Sequence, residues 1–98
     1  MIVIHVVVSI KPEYQAEFVS QEQKFMAAAQ QMAGCRSFSL YKDVHQENTF
    51  AIYETWETSA DFENYQQSDL FSQYRQSIGP MLMGEPTSNY YNAAPLTN

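Results

Sequence analysis

The chain opens on an apolar run, Ile2–Ile10. One alternating set, Ile2, Ile4, Val6, Val8 and Ile10, is aliphatic throughout; the other, Val3, His5, Val7 and Ser9, carries two polar members. β-Branched residues dominate, so the run predicts a strand. A strand packed on one small core keeps one face wet. Apolar residues at both parities predict a cover on each face: helices on one, a second copy of the chain on the other. Ile2, Ile4, Val6 and Val8 are assigned to that dimer contact. Val3, His5 and Val7 are assigned to the helix side.

Pro12 suits the first turn of a helix, where its missing N–H costs nothing. Tyr14, Phe18, Phe25, Ala29 and Met32 then recur at helical spacing, widened by Val19 and Met26. Gln15, Gln21, Glu22, Gln30 and Gln31 take the opposite, polar side. The pattern predicts an amphipathic helix of about 20 residues, closed by Gly34 as a C′ glycine. Cys35–Val44 and Thr49–Glu57 alternate with a period of two around the polar turn His45–Asn48, which predicts a hairpin. Glu54 and Trp56 share one face of its second strand, and a buried Glu54 needs a partner such as Arg36, Arg75 or a backbone group. Thr58 caps the next helix with Asp61 as a capping box. Phe62, Tyr65, Leu70, Phe71, Tyr74 and Ile78 follow, with a bend at Ser68-Asp69 and a stop at Gly79-Pro80. Pro86–Ala93 is a last strand, and residues 94–98 a tail that frays.

The order is β-α-β-β-α-β within one domain spanning residues 1–98. The expected fold class is α+β, ferredoxin-like: a four-stranded antiparallel sheet with both helices on one face.

Composition narrows the function. The 98 residues are 45% hydrophobic and 16% charged, which excludes a disordered or coiled-coil chain. Five basic against eleven acidic residues give a net charge of −6. No nucleic-acid partner and no anionic membrane partner is expected of such a surface. The opening run has no basic start and ends at Lys11-Pro12, so it predicts neither a signal peptide nor a span, and the expected location is cytoplasmic. Cys35 is the single cysteine. The few Cys and His residues (Cys35, His5, His45) do not have metal-ligand spacing, and no metal site is expected.

His5 interrupts an apolar strand. It is either a core histidine bonded to a neighbour or a pocket base. The aromatic set around Trp56, Tyr65, Phe71 and Tyr74 is either plain core or the wall of a small-molecule cavity, with tyrosine hydroxyls and Arg75 as its polar groups.

Several motifs together resemble a known family. These are Lys11-Pro12 after the first strand, Gly34-Cys35 at the second, the run Tyr53-Glu54-Thr55-Trp56-Glu57-Thr58-Ser59, and Gln67-Ser68-Asp69-Leu70-Phe71. The pattern E-x-W-x-[ST], followed by S-x-x-F twelve residues after the tryptophan, is similar to the antibiotic biosynthesis monooxygenase (ABM) domain from Ile2 to about Tyr91. The resemblance implies a dimeric α+β barrel, a homodimer whose sheets pack face to face. Activities in the family include cofactor-free oxygenation of quinols and other aromatics, processing of small signalling molecules, and haem degradation. Many quinol-type members have histidines where this chain has Tyr65 and Leu70. The haem-degrading branch has its functional residues at positions that match His5, Tyr65 and Arg75. Arginine stays protonated and cannot ligate iron, so haem is not the expected ligand.

The expected function is therefore a monooxygenase that uses O2 on a small phenolic or quinol-like substrate, with no cofactor. His5, Tyr65 and Arg75 are the expected catalytic residues: His5 or a tyrosine as base, Tyr65 and Arg75 holding anionic oxygens. Trp56, Phe71 and Tyr74 are expected to bind substrate. The alternative is a binding or accessory dimer of the same fold without turnover.

Overall fold

The computed structural model describes residues 1–97. Strand β1 is Ile2–Ser9, helix α1 Gln15–Ala29, β2 Cys35–Lys42, β3 Thr49–Trp56, α2 Ser59–Gln66, α3 Asp69–Ile78 and β4 Thr87–Asn92. Short 3-10 turns at Pro12–Tyr14 and Gly79–Met81 complete the path. The strands pair antiparallel in the order β2-β3-β1-β4. This is the ferredoxin-like α+β plan that the alternation of elements predicts.

The two faces of β1 are the reverse of the sequence expectation. Ile4, Val8 and Ile10 are buried with Phe38, Phe50, Ile52 and Trp56 of the sheet and with Phe18, Ala29, Tyr65 and Ile78 of the helices. Ile2 and Val6 pack against the same cluster. The uniformly aliphatic parity thus faces the helices rather than a partner. Its register partners Glu54 and Ile52 share that side. Val3, His5 and Val7 lie on the helix-free face, level with Thr55, Tyr53 and Ala51 of β3 and with Tyr91, Asn89 and Thr87 of β4. The physical reason is simple. A single-chain core must exclude water on its own, so it takes the parity without polar members.

Chain reversal before β2 depends on Gly34. Helix α1 ends at Ala29, so this glycine does not cap it; a turn of Gln30–Ala33 intervenes. Gly34 has φ +84°, and a Cβ placed there would run into the Asp61 side chain at the start of α2. Gly34→Ala should therefore destabilise the domain by about 1–3 kcal/mol from backbone strain alone, more once Asp61 is displaced. Urea denaturation checks this.

The bend expected at Ser68-Asp69 separates α2 from α3. Ser68 Oγ accepts from the Phe71 N–H at 3.2 Å and donates to the Tyr65 carbonyl at 2.6 Å. One hydroxyl ends a helix and starts the next. Thr58 caps α2 as expected, accepting from the Asp61 N–H at 3.1 Å, but the Asp61 carboxylate reaches back to the Thr58 hydroxyl, at 2.9 Å, in place of the backbone N–H of a capping box. These breaks let α3 swing over the sheet and leave space beneath it.

Candidate functional site

That space is a cavity of about 540 Å³ between the sheet, α2–α3 and the segment leading into β4. Ile4, Val6 and Ile52 form its floor; Phe62, Phe71 and Ile78 form its roof. Against this apolar lining stand a few polar groups: Glu54, Gln66, Tyr74, Arg75, Glu85 and Ser88.

Glu54 is the group with most chemical potential. β3 carries it on the core face between Ile52 and Trp56, so burial is imposed by strand parity. Its Oε1 accepts the Trp56 indole N–H at 3.0 Å. Its Oε2 accepts no hydrogen bond among the described residues and, with Glu54 on the cavity wall, is open to a ligand. Burial pushes the carboxyl up to about 7, against the lowering effect of the Trp56 hydrogen bond. The partner expected from sequence, an arginine or the backbone, is replaced by the indole two residues along. Arg36 instead pairs with Glu57 at the surface at 3.6 Å.

Glu22 of α1 is also in the interior, sealed completely from solvent. Its Oε1 accepts the Tyr74 hydroxyl at 2.8 Å, while Oε2 is buried with no partner. Burial raises its pKa to about 7, offset by the Tyr74 hydrogen bond and reinforced by the charge of Glu54. This corrects the assignment of Glu22 to the polar side of the helix. Its spacing held the signal: Glu22 falls four residues after Phe18 and seven before Ala29, inside the buried stripe.

Of the site residues expected from sequence, Phe71, Tyr74 and Arg75 meet at the cavity. The Arg75 guanidinium lies over the Phe71 ring, 5.9 Å from its centre. Trp56 and Tyr65 are behind the wall, buried and stacked on each other at 4.9 Å. Trp56 reaches the site only through its bond to Glu54. Burial, with the charges of Glu54 and Glu22, drives the Tyr65 phenol far above its usual range, so it keeps its proton. His5 is not brought to the cavity. It stacks on Tyr53 at 4.5 Å on the opposite face of the sheet, since its parity is that of Val3 and Val7. Among the described residues no group of three or more His, Cys, Asp or Glu could hold a metal ion.

A ferredoxin-like α+β domain with an apolar cavity and a buried carboxyl on its wall is the class that fold and site define. The chain belongs to the antibiotic biosynthesis monooxygenase family, whose model matches residues 1–77. It is 30% identical over 71 residues to YcnE of Bacillus subtilis, provisionally named a monooxygenase, covering 72% of this chain and 75% of that protein. It is 28% identical over 79 residues to an uncharacterised Synechocystis protein, sll1783, covering 81% of this chain and 53% of that protein. The chain thus spans about half the length of that relative. Among solved structures, a Nitrosomonas europaea protein provisionally named an antibiotic biosynthesis monooxygenase superposes with a TM-score of 0.91 at 15% identity, covering 99% of this chain and 93% of that one. A Deinococcus radiodurans protein of the same provisional name gives 0.91 at 19%, covering 100% and 97%. At such identities these likenesses show the fold. No helix among the described residues is long and apolar enough to cross a membrane.

Proposed function

We propose that the protein is a cofactor-independent monooxygenase of a small phenolic or quinol-like substrate, with Glu54 as the base. The observation that carries this reading is the Glu54 carboxyl: buried, tied by one oxygen to Trp56 and free at the other, on the wall of an apolar cavity. A base works best with its pKa near the working pH, and burial pushes Glu54 up to about 7.

Oε2 of Glu54 takes the proton of a substrate hydroxyl, breaking the O–H bond and leaving an aryloxide. The aryloxide is electron-rich enough to reduce O2 itself. For a dihydroxyarene, one ring C–H becomes C–OH with one oxygen atom of O2, both original hydroxyls become carbonyls, and the second oxygen atom leaves as water with the two protons those hydroxyls gave up. Four electrons pass from the diol to O2. Arg75 on the cavity wall balances the negative charge on the aryloxide and then on the reduced oxygen. The apolar walls keep water away from the intermediate.

Oxygen uptake with a panel of reduced quinols and anthrones tests this reading. The expected result is O2 consumption with a product that has gained one oxygen atom and lost two hydrogen atoms. A protein that binds panel members without consuming O2 would instead be the accessory dimer.

The reading includes a homodimer formed through the helix-free sheet face. Val3, Val7 and Ala51 give that face an apolar centre, and Tyr41, Tyr53 and Tyr91 project from it half-exposed. Stable interfaces of obligate dimers bury upwards of roughly 2,000 Å², and this face is the extended surface on the sheet available for it. Light scattering at micromolar concentration should give twice the 11.3 kDa chain mass. Val7→Asp, which places a charge at the centre of the face, should give a folded monomer. A monomeric wild type would sink the dimer.

A further inference from the structure

Glu54 accounts for one of two buried carboxyl groups, and Glu22 remains. Its side chain is sealed from solvent, Oε1 holds the Tyr74 hydroxyl at 2.8 Å, and Oε2 is buried without a partner. Such an arrangement is costly among aromatic and aliphatic side chains, which points to a chemical use. Tyr74 provides the connection. It lines the same cavity as Glu54, and its hydroxyl donates to Glu22. That leaves the lone pairs of the phenol oxygen to accept a hydrogen bond from a ligand.

We infer that Tyr74 and Glu22 form a second proton-accepting station of the cavity: the Tyr74 oxygen takes a hydroxyl proton from the substrate as it passes its own proton to Glu22 Oε1. The inference rests on the monooxygenase reading above. In that reaction both hydroxyl protons of a dihydroxyarene leave their oxygens and end in the released water. Glu54 takes one of them. The Tyr74–Glu22 pair takes the other, and Tyr74 is never left as an anion, because one O–H bond forms as the other breaks. When O2 is reduced the two stored protons pass to the departing oxygen, and both carboxylates are restored. A substrate with one ionisable oxygen needs only Glu54.

Burial holds Tyr74 well above the usual phenol range, and the charge and hydrogen bond of Glu22 raise it further. A free tyrosinate is therefore disfavoured, and a relay that avoids it is the accessible route. Glu22, near 7, can be ionised at neutral pH and so can accept. The titratable groups around it are Tyr74 from α3 and Glu54 from β3, with Tyr65 of α2 close enough to feel its charge. Tyr74 touches the substrate and is catalytic in this scheme; Glu22 acts through it.

Two arms test the inference. In the first, without O2, calorimetry compares 1,4-dihydroxynaphthalene with its monomethyl ether. Wild type should prefer the diol by about tenfold or more, and Tyr74→Phe should lose the preference. In the second, O2 uptake is followed with 1,4-dihydroxynaphthalene and with anthrone, whose aryloxide forms by loss of a single C–H proton and carries one oxygen. Glu22→Gln keeps an acceptor for the Tyr74 hydroxyl and should fold normally. It should slow the diol by roughly tenfold to a hundredfold and leave anthrone within about twofold. A purely structural role would slow both alike. Tyr74→Phe retaining the diol preference, or Glu22→Gln slowing both substrates equally or neither, would overturn the inference. Absence of any O2 uptake by the wild type would instead overturn the monooxygenase reading, and the first arm would still decide the Tyr74 contact.

Discussion

Trp56→Ala should destabilise the domain by about 3–5 kcal/mol, the usual range for deleting a fully enclosed large aromatic. Trp56 has no exposed surface and stacks on Tyr65 with ring centres 4.9 Å apart. The tilted Phe62 ring lies beside both, its centre 6.2 Å from that of Trp56 and 6.5 Å from that of Tyr65. The sheet beneath and α2 above are both regular elements, so the hole cannot close cheaply. Removing the indole also strips Glu54 Oε1 of its donor, leaving a buried acceptor unpaired. For a domain of this size each kcal/mol is worth about 4–8 °C in Tm, so the melting temperature should fall by tens of degrees. Trp56→Phe separates the two losses. The ring is largely retained but the N–H is gone, so the stability loss should be only about 1–3 kcal/mol, and the Glu54 pKa should rise further. Denaturation curves for both variants, with a titration of Glu54 by carboxyl NMR shifts, check the pair. A loss below about 1 kcal/mol in Trp56→Ala would mean that the ring is not the centre of the core.

The elements were legible in the sequence because each is encoded locally. The β-branched opening run, the capping residues Thr58 and Ser68, and the period of two in Cys35–Glu57 are short-range signals. The sheet faces were harder to assign. Both parities of β1 look apolar, and the decision turned on His5 and Ser9, whose polar atoms cost little on a face without helices and much beneath them. Once that parity is known, His5 leaves the cavity and Glu54 enters it, since the two occupy opposite parities on paired strands. Phe71, Tyr74 and Arg75 share successive turns of α3 and line the cavity together, whereas the sequence reading divides them, Arg75 with His5 and Tyr65, and Phe71 and Tyr74 with Trp56. Glu22 was hidden by its residue type: a glutamate among glutamines reads as solvent-facing until its place in the Phe18–Ala29 stripe is weighed. The indole as partner of Glu54 is a contact at i and i+2 on one face of a strand, and it shows only when the side-chain rotamers are known.

Glu54→Gln should lower kcat by roughly 10²–10⁴-fold, the ordinary contribution of a positioned base, while making the fold more stable in mild alkali. The amide keeps a carbonyl to accept the Trp56 N–H, so the packing of β3 against α2 persists. The stability effect follows from linkage. Burial raises the Glu54 pKa from 4.5 to about 7, so the folded state binds that proton more tightly than the unfolded chain does. The stability that comes with this proton is complete below about pH 4.5 and is lost as the pH rises through about 7. Glu22 shifts in the same direction, from 4.5 to about 7, and acts over the same window. Wild type should therefore unfold more easily at pH 8 than at pH 5, by an amount on the order of a few kcal/mol for the coupled pair, at about 1.4 kcal/mol per pKa unit. Glu54→Gln should remove much of that difference, because one titrating group is gone and the other loses a charged neighbour. Catalysis should run the opposite way with pH. Only ionised Glu54 can take the proton, so wild-type kcat should rise as the pH climbs through about 7, and the residual rate of the variant should lose this dependence. Urea denaturation at the two pH values, together with the pH profile of O2 uptake, measures both. A variant whose stability still falls as steeply with pH as wild type, or whose turnover is unchanged, would show that the buried carboxyl of Glu54 is not the base.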